Sequence, residues 1–224
     1  MFRRDCYGQF NGRSSVNSYT GGKYANGALG CGSDKGKAEE KPASAVQATT
    51  GTSLPAANSK ILVAYFSVTG NSKQLAENTA KALGADIYEI RPAIPYTKDD
   101  LNYKDETTRA TVEQKDDNSR PELADTNAPI ANHDTIILVH PIWWGQAPRI
   151  MNTFVESYDF SNKNITSICT SGGSDIGKSG ESLKKLTFAK FKVNHARATW
   201  KQGKVFSPQA SAEEIKSWFN GLGF

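Results

Sequence analysis

The chain has 224 residues, 38% of them hydrophobic and 22% charged, with a formal net charge of +4, which suits one globular domain plus an appendage. No apolar run approaches the ~18 residues of a membrane span, and three cysteines (Cys6, Cys31, Cys169) are too few, and odd in number, for a disulfide framework. The charge is uneven: residues 1–60 hold 8 Lys/Arg against 4 Asp/Glu, and residues 61–224 hold 19 of each, with no basic stripe of the kind that binds nucleic acid.

Residues 1–59 scatter ten large apolar residues among Gly, Ser, Asn, Thr and Ala. Such a segment buries too little surface to offset its ordering entropy, so a disordered tail or tether is expected, with a domain over 60–224. Ala28-Leu29-Gly30-Cys31 and the polar run 32–37 resemble the start of a mature bacterial lipoprotein, in which Cys31 would carry the lipid tether. Residues 7–27, however, are polar throughout, whereas an export signal needs an apolar stretch before its cleavage site. A cytoplasmic location is therefore expected, the alternative being a membrane-tethered lipoprotein if the start or the reading frame upstream of Leu29 is mis-called and the true N-terminus carries a signal peptide.

Lys60–Phe66 is a continuous apolar run, the pattern of a strand buried on both faces. Leu75, Ala76, Thr79, Ala80 and Leu83 then share one side of a helix that Gly84 can end. A second strand is expected over 86–90. Residues 94–130 are polar, with Pro95, Pro121 and Pro129, and predict a helix or two among loops. Thr135–His140 reads as another buried strand. Pro148 suits the first turn of a helix whose apolar face is Ile150, Met151, Phe154 and Val155. A strand over 164–170, a Gly-rich turn and a weaker strand over 196–200 follow. The closing helix carries a capping box, Ser211 with Glu214, and buries Ile215, Trp218, Phe219 and Leu222. This alternation predicts a parallel sheet with helices on both faces, and ligands in such sheets sit beyond the carboxyl ends of the strands.

Three loops at those ends have unusual composition. Ser67-Val68-Thr69-Gly70-Asn71-Ser72 offers hydroxyls and a helix N-terminus, which suit a phosphate, although an ordinary helix cap uses the same residues. In Pro141-Ile142-Trp143-Trp144-Gly145, adjacent tryptophans point different ways, so at least one is expected to offer its face to a planar ligand unless both pack under the rim. Ser171-Gly172-Gly173 leaves backbone groups open to a ligand, or forms a plain turn.

The first loop resembles the phosphate-binding signature of flavodoxins, and the other two resemble that family's isoalloxazine-binding loops, in the same order. The resemblance covers residues 60–224. It implies a flavodoxin-like three-layer α/β/α fold with a five-stranded parallel sheet in the order 2-1-3-4-5, which is also the strand order of the general rule for such folds, and flavin mononucleotide (FMN) as cofactor. Residue by residue, it implies that Ser67, Val68, Thr69, Gly70, Asn71 and Ser72 surround the phosphate. Trp143 or Trp144 would stack on the flavin, flanked by Pro141, Ile142 and Gly145, and backbone groups of Ser171, Gly172 and Gly173 would meet the pyrimidine side. A reduced flavin anion facing an electron-rich aromatic is disfavoured, which lowers the potential.

Gly172–Ser179 also matches the nucleotide-triphosphate P-loop G-x-x-x-x-G-K-[ST], yet no neighbouring strand supplies the metal-binding Asp. His133, His140 and His195 lack ligand spacing, and Cys169 sits within an apolar strand, so structural roles are expected for all four. Electron transfer to redox partner proteins is the expected function. The alternative is an NAD(P)H-dependent quinone or flavin reductase acting on a small-molecule acceptor. The neutral domain gives a carrier little electrostatic steering, and segment 94–130, with Tyr96 beside the ring, would cover the flavin edge as a reductase pocket requires. Against the reductase stands the lack of an identifiable nicotinamide motif.

Overall fold

A computed structural model describes residues 60–190 and 198–223; the predicted tail over 1–59 and His195 lie outside the described residues. The elements are β1 (Ile61–Tyr65), α1 (Asn71–Leu83), β2 (Asp86–Glu89), α2 (Arg109–Lys115), β3 (Thr135–Pro141), α3 (Arg149–Ser157), β4 (Asn164–Thr170), α4 (Ser179–Lys190), β5 (Thr199–Trp200), β6 (Lys204–Val205) and α5 (Ala212–Gly221). All sheet pairings are parallel and run β2-β1-β3-β4-β5, with β6 also on β4. The predicted order 2-1-3-4-5 therefore holds, with the fifth strand in two pieces.

The continuous apolar runs become the central strands because both of their faces are covered. Leu62, Ala64, Phe66, Ile136, Leu138 and Ile165 join Ile150, Met151 and Phe154 of α3 and Leu183 of α4 in one core. Val63, Tyr65, Ile137, Val139 and Ile168 join Leu75, Ala76 and Ala80 of α1 and Ile215 of α5 in the other. This gives the three layers. Gly84 ends α1 in the left-handed conformation, φ +63°, which costs glycine little. Segment 94–130 contains one α-helix, α2, and a short 3-10 turn over 99–101, and a second 3-10 turn over 130–132 closes it. At α5 half of the capping box forms: Ser211 Oγ accepts from Glu214 N, while the Glu214 carboxylate pairs with Lys204 instead. Leu222 lies just past the helix.

The fifth strand differs most from expectation. Thr199–Trp200 pairs with the start of β4 and Lys204–Val205 with its end, so Lys201–Gly203 opposes only two β4 residues, a one-residue bulge. Gly203 sits there because a Cβ would lie 2.3 Å from Ser167 O. Replacing Gly203 with Ala is expected to destabilise the domain by about 1–3 kcal/mol through overpacking, read as a lower denaturation midpoint at unchanged m value.

His140 and Cys169 are cross-strand partners in β3 and β4, both fully buried, with Cys169 Sγ 3.6 Å from His140 Nε2. Burial lowers the imidazole pKa from 6.5 to about 4, against an opposing hydrogen bond at Pro141, and pushes the thiol up to about 12. The pair is thus neutral at pH 7 and structural. His133 is structural too, its two ring nitrogens bonded to Pro129 O and the Asp86 carboxylate. Between pH 6.5 and 4 the unfolded chain holds a proton at His140 that the folded one does not, so stability is lost as pH falls through that window. The contribution is about 3 kcal/mol at 1.36 kcal/mol per pKa unit. His140→Leu should flatten the stability–pH profile by that amount between pH 6.5 and 4, measured by urea unfolding.

Candidate functional site

Parallel register sets β1, β3 and β4 so that their carboxyl ends finish together: Tyr65 pairs with Val139, and Pro141 with Thr170. The three loops singled out by composition therefore leave from adjacent points at one end of the sheet. The first begins after Phe66, whose N–H still reaches Val139 O and whose ring is buried. Gly70, at φ +91°, starts α1 with no side-chain cap. The hydroxyls here are not helix caps, because Ser67 Oγ accepts from Gly70 N at 3.2 Å. Ser72 is buried, with Oγ 2.7 Å from Thr170 Oγ1. Gln74 is the first residue to bond back to Gly70 O, so the N–H groups of Asn71, Ser72 and Lys73 point out of the helix with the positive end of its dipole. Ser72 can thus offer its N–H, while its hydroxyl ties α1 to β4. Val68 packs against the core, and Thr69, Gly70 and Asn71 are exposed.

The second loop is a tight turn. After Pro141 the Ile142 N–H bonds Thr170 O at 3.0 Å, and Trp143 and Gln146 exchange N–H···O bonds of 2.9 and 3.0 Å. Trp144 and Gly145 between them have φ +49° and +73°, the signs of a type I′ turn. Gly145 adopts this readily, whereas the left-handed conformation costs Trp144 about 1–2 kcal/mol. The two tryptophans diverge, as expected. Trp143 packs edge-on against Phe66 (5.6 Å) and Tyr96 (5.3 Å), while Trp144 is 45% exposed at the tip.

In the third loop Ser171 Oγ accepts from Gly173 N and Ser174 N, which occupies two donors that a phosphate cradle would need. A Cβ on Gly172 would meet no atom within 4 Å, so that backbone lies open. Gly177 (φ +55°) is required for contact, since its Cβ would fall 2.5 Å from Gly145 O; beside it Lys178 N donates to that oxygen at 3.1 Å. The P-loop pattern over 172–179 is therefore a packing feature that joins the second and third loops.

Between the loops lies a cavity of about 400 Å³, within the usual range for cofactor pockets. Thr69 of the first loop, Ile142, Trp143 and Trp144 of the second, and Leu101, Tyr103 and Ala110 of segment 94–130 line it. The hydroxyl loop thus opens onto the apolar, aromatic wall. Ser171, Gly172 and Gly173 are not among the lining residues. Tyr96 is not beside the cavity but behind it: its ring is 8% exposed and its hydroxyl donates to Glu113. Burial, then that bond, raises its pKa. Tyr103, 68% exposed, lines this cavity, while Tyr96 lines a neighbouring one with Ser67 and Val68 of the first loop. Nothing in the polar, aperiodic stretch around Tyr103 marks it as a lining residue; its single aromatic ring among charges is the only cue.

Segment 94–130 also braces the second loop. Gln114 is hydrogen-bonded to Trp143 O, Ala147 O and Arg149 N. Arg149, 4% exposed, donates to Glu113 O, Gln114 O and Asp117 Oδ1 at the end of α2. Among the described residues no cluster of His, Cys, Asp or Glu is arranged to hold a metal, and no helix is long and apolar enough to cross a membrane.

The family model for flavodoxin matches residues 60–222. A candidate flavoprotein from Bacteroides eggerthii is 37% identical and superposes with a TM-score of 0.67 over 74% of this chain and 99% of its own. A candidate flavoprotein from Bacteroides uniformis is 39% identical, with a TM-score of 0.65 over 72% of this chain and 98% of its own. A Lactobacillus acidophilus flavoprotein in complex with FMN shares the fold at 16% identity, with a TM-score of 0.52 over 72% of this chain and 99% of its own. No curated protein sequence matches the chain at a significant level. With three loops meeting at the carboxyl ends of a 2-1-3-4-5 sheet and the family model spanning the whole described fold, the chain belongs to the flavodoxin family.

Proposed function

We propose that the chain is an FMN-binding electron-transfer protein, in which FMN takes up and gives back one or two electrons. The observation that carries this reading is the shared cavity, where Thr69, next to the uncapped N-terminus of α1, faces the aromatic turn. The donor set fits the cofactor. Ser67, Thr69, Gly70, Asn71 and Ser72 supply neutral N–H and O–H donors for the phosphate, helped by the dipole of α1, and the loop itself holds no Lys or Arg. Trp144, held out at the turn tip, presents its ring face to the isoalloxazine. Trp143 forms the wall behind, kept upright by Phe66 and Tyr96. The open backbone at Gly172, between Ser171 and Gly173, suits the polar pyrimidine edge.

One observation favours a second reading. Leu101, Tyr103 and Ala110 extend the apolar wall beyond the two loops, which is the cover that an NAD(P)H-dependent quinone or flavin reductase needs for a small aromatic acceptor. Stepwise anaerobic reduction of the FMN-loaded protein separates the two. Well-separated one-electron steps support the carrier. A single two-electron step with NAD(P)H, with steady quinone turnover, supports the reductase. If FMN does not bind, neither reading survives.

Trp144→Ala is expected to weaken FMN binding about 10- to 100-fold through lost stacking and buried area. It should also raise the potential of the second reduction step, since reduced flavin no longer faces an electron-rich ring. Fluorescence titration and spectroelectrochemistry would measure both. Riboflavin, which lacks the phosphate, should bind at least about 100-fold more weakly than FMN, because charge-assisted bonds at the α1 N-terminus contribute about 1.5–3 kcal/mol each. Equal affinities would show that the first loop is not the phosphate site.

A further inference from the structure

We propose that Gln114 is a positioning residue for the flavin site, clamping the neck of the Trp143–Ala147 turn so that Trp144 stays at its tip in the left-handed conformation. This rests on the reading that the turn meets FMN. The turn has little of its own to hold it: two hydrogen bonds close a two-residue loop, and a lone hairpin of that size is marginal in water. Its first central position, where Asn, Asp or Gly is preferred, carries Trp144. Contacts from outside the turn must hold it: Lys178 N donates to Gly145 O at the tip, and Gln114 reaches the neck from α2.

The contacts match a carboxamide. Gln114 is 6% exposed; Nε2 donates to Trp143 O at 3.0 Å and Ala147 O at 3.3 Å, and Oε1 accepts from Arg149 N at 3.0 Å. One side chain thus grips both sides of the turn's neck and the first residue of α3. Both N–H donors are used, and only Gln or Asn offers two donors and an acceptor on one planar group. Glu has the same size but presents acceptors to two carbonyl oxygens, and Leu leaves all three backbone groups without this partner. The clamp is itself anchored, because Arg149 donates to the Gln114 carbonyl at 2.7 Å. Helix α2 therefore acts at a distance from the cofactor, through the turn.

The test uses the full chain with Gln114→Leu and Gln114→Glu, each in the native and the Trp144→Ala background. FMN affinity and midpoint potentials are measured with cofactor, and amide exchange at Gln146 without it. Both single variants are expected to bind FMN about tenfold or more weakly, with shifted potentials and faster Gln146 exchange. Once Trp144 is Ala, the Gln114 changes should alter affinity by less than about threefold, because interacting sites are non-additive. Native affinity and potentials in both single variants would overturn the proposal. So would an equal loss with and without Trp144, which a general scaffold role produces. Gln114→Glu, which keeps volume and the bond to Arg149 N, carries the test if the Leu variant does not fold. Should the native chain take up no FMN, the functional reading fails, while exchange at Gln146 still decides whether Gln114 holds the turn.

Discussion

The site depends on one constraint, the level at which three buried parallel strands stop. Register is unforgiving in strands covered on both faces, since a one-residue slip exchanges the two cores. Leu62 and Leu138 belong to one core and Val63 and Ile137 to the other, so burial excludes a one-residue slip in the pairing of β1 and β3. That pairing brings Phe66, Ile142 and Ser171 out of the sheet side by side. The loops inherit their positions from the core and need to specify only their own shapes.

They specify those shapes largely with hydrogen bonds to one another. Ser72 meets Thr170, Ile142 meets Thr170 O, and Gly177–Lys178 meets Gly145. Each bond joins a different pair of elements at the site, so distortion of one loop is felt by the next. The left-handed backbone of Trp144 is affordable only in such company. A site braced in this way would hold a flavin ring in a fixed electrostatic setting, as the proposed electron-transfer function requires.

Much of this was legible in the sequence, for physical reasons. Double-sided burial writes continuous apolar runs, so β1, β3 and β4 were readable. Helices packed on one side write a 3.6-residue period, so the buried faces of α1 and α3 were readable too. The three loops stood out because hydroxyls, adjacent tryptophans and paired glycines are unusual after strands. The failures are contacts between distant segments. Tyr103 lines the cavity although nothing around it in the chain marks it, and Tyr96, singled out as an aromatic of that segment, turns its hydroxyl inward to Glu113. The break in the fifth strand turns on the approach of Gly203 to Ser167, which no local pattern encodes. Gln114 sits 29 residues from Trp143 and looks like any polar helical residue.

The broken fifth strand also shapes how the sheet ends. An edge strand presents unpaired N–H and C=O groups, a template on which another chain can add. Here that edge consists of two dipeptide pieces separated by a bulge, so an incoming strand finds no straight ladder longer than two residues. The opposite edge, β2, is four residues long and carries acidic Asp86 and Glu89 at its ends. A sheet whose interior strands are as apolar as β3 is thus bounded on both sides by edges that discourage sheet-to-sheet growth.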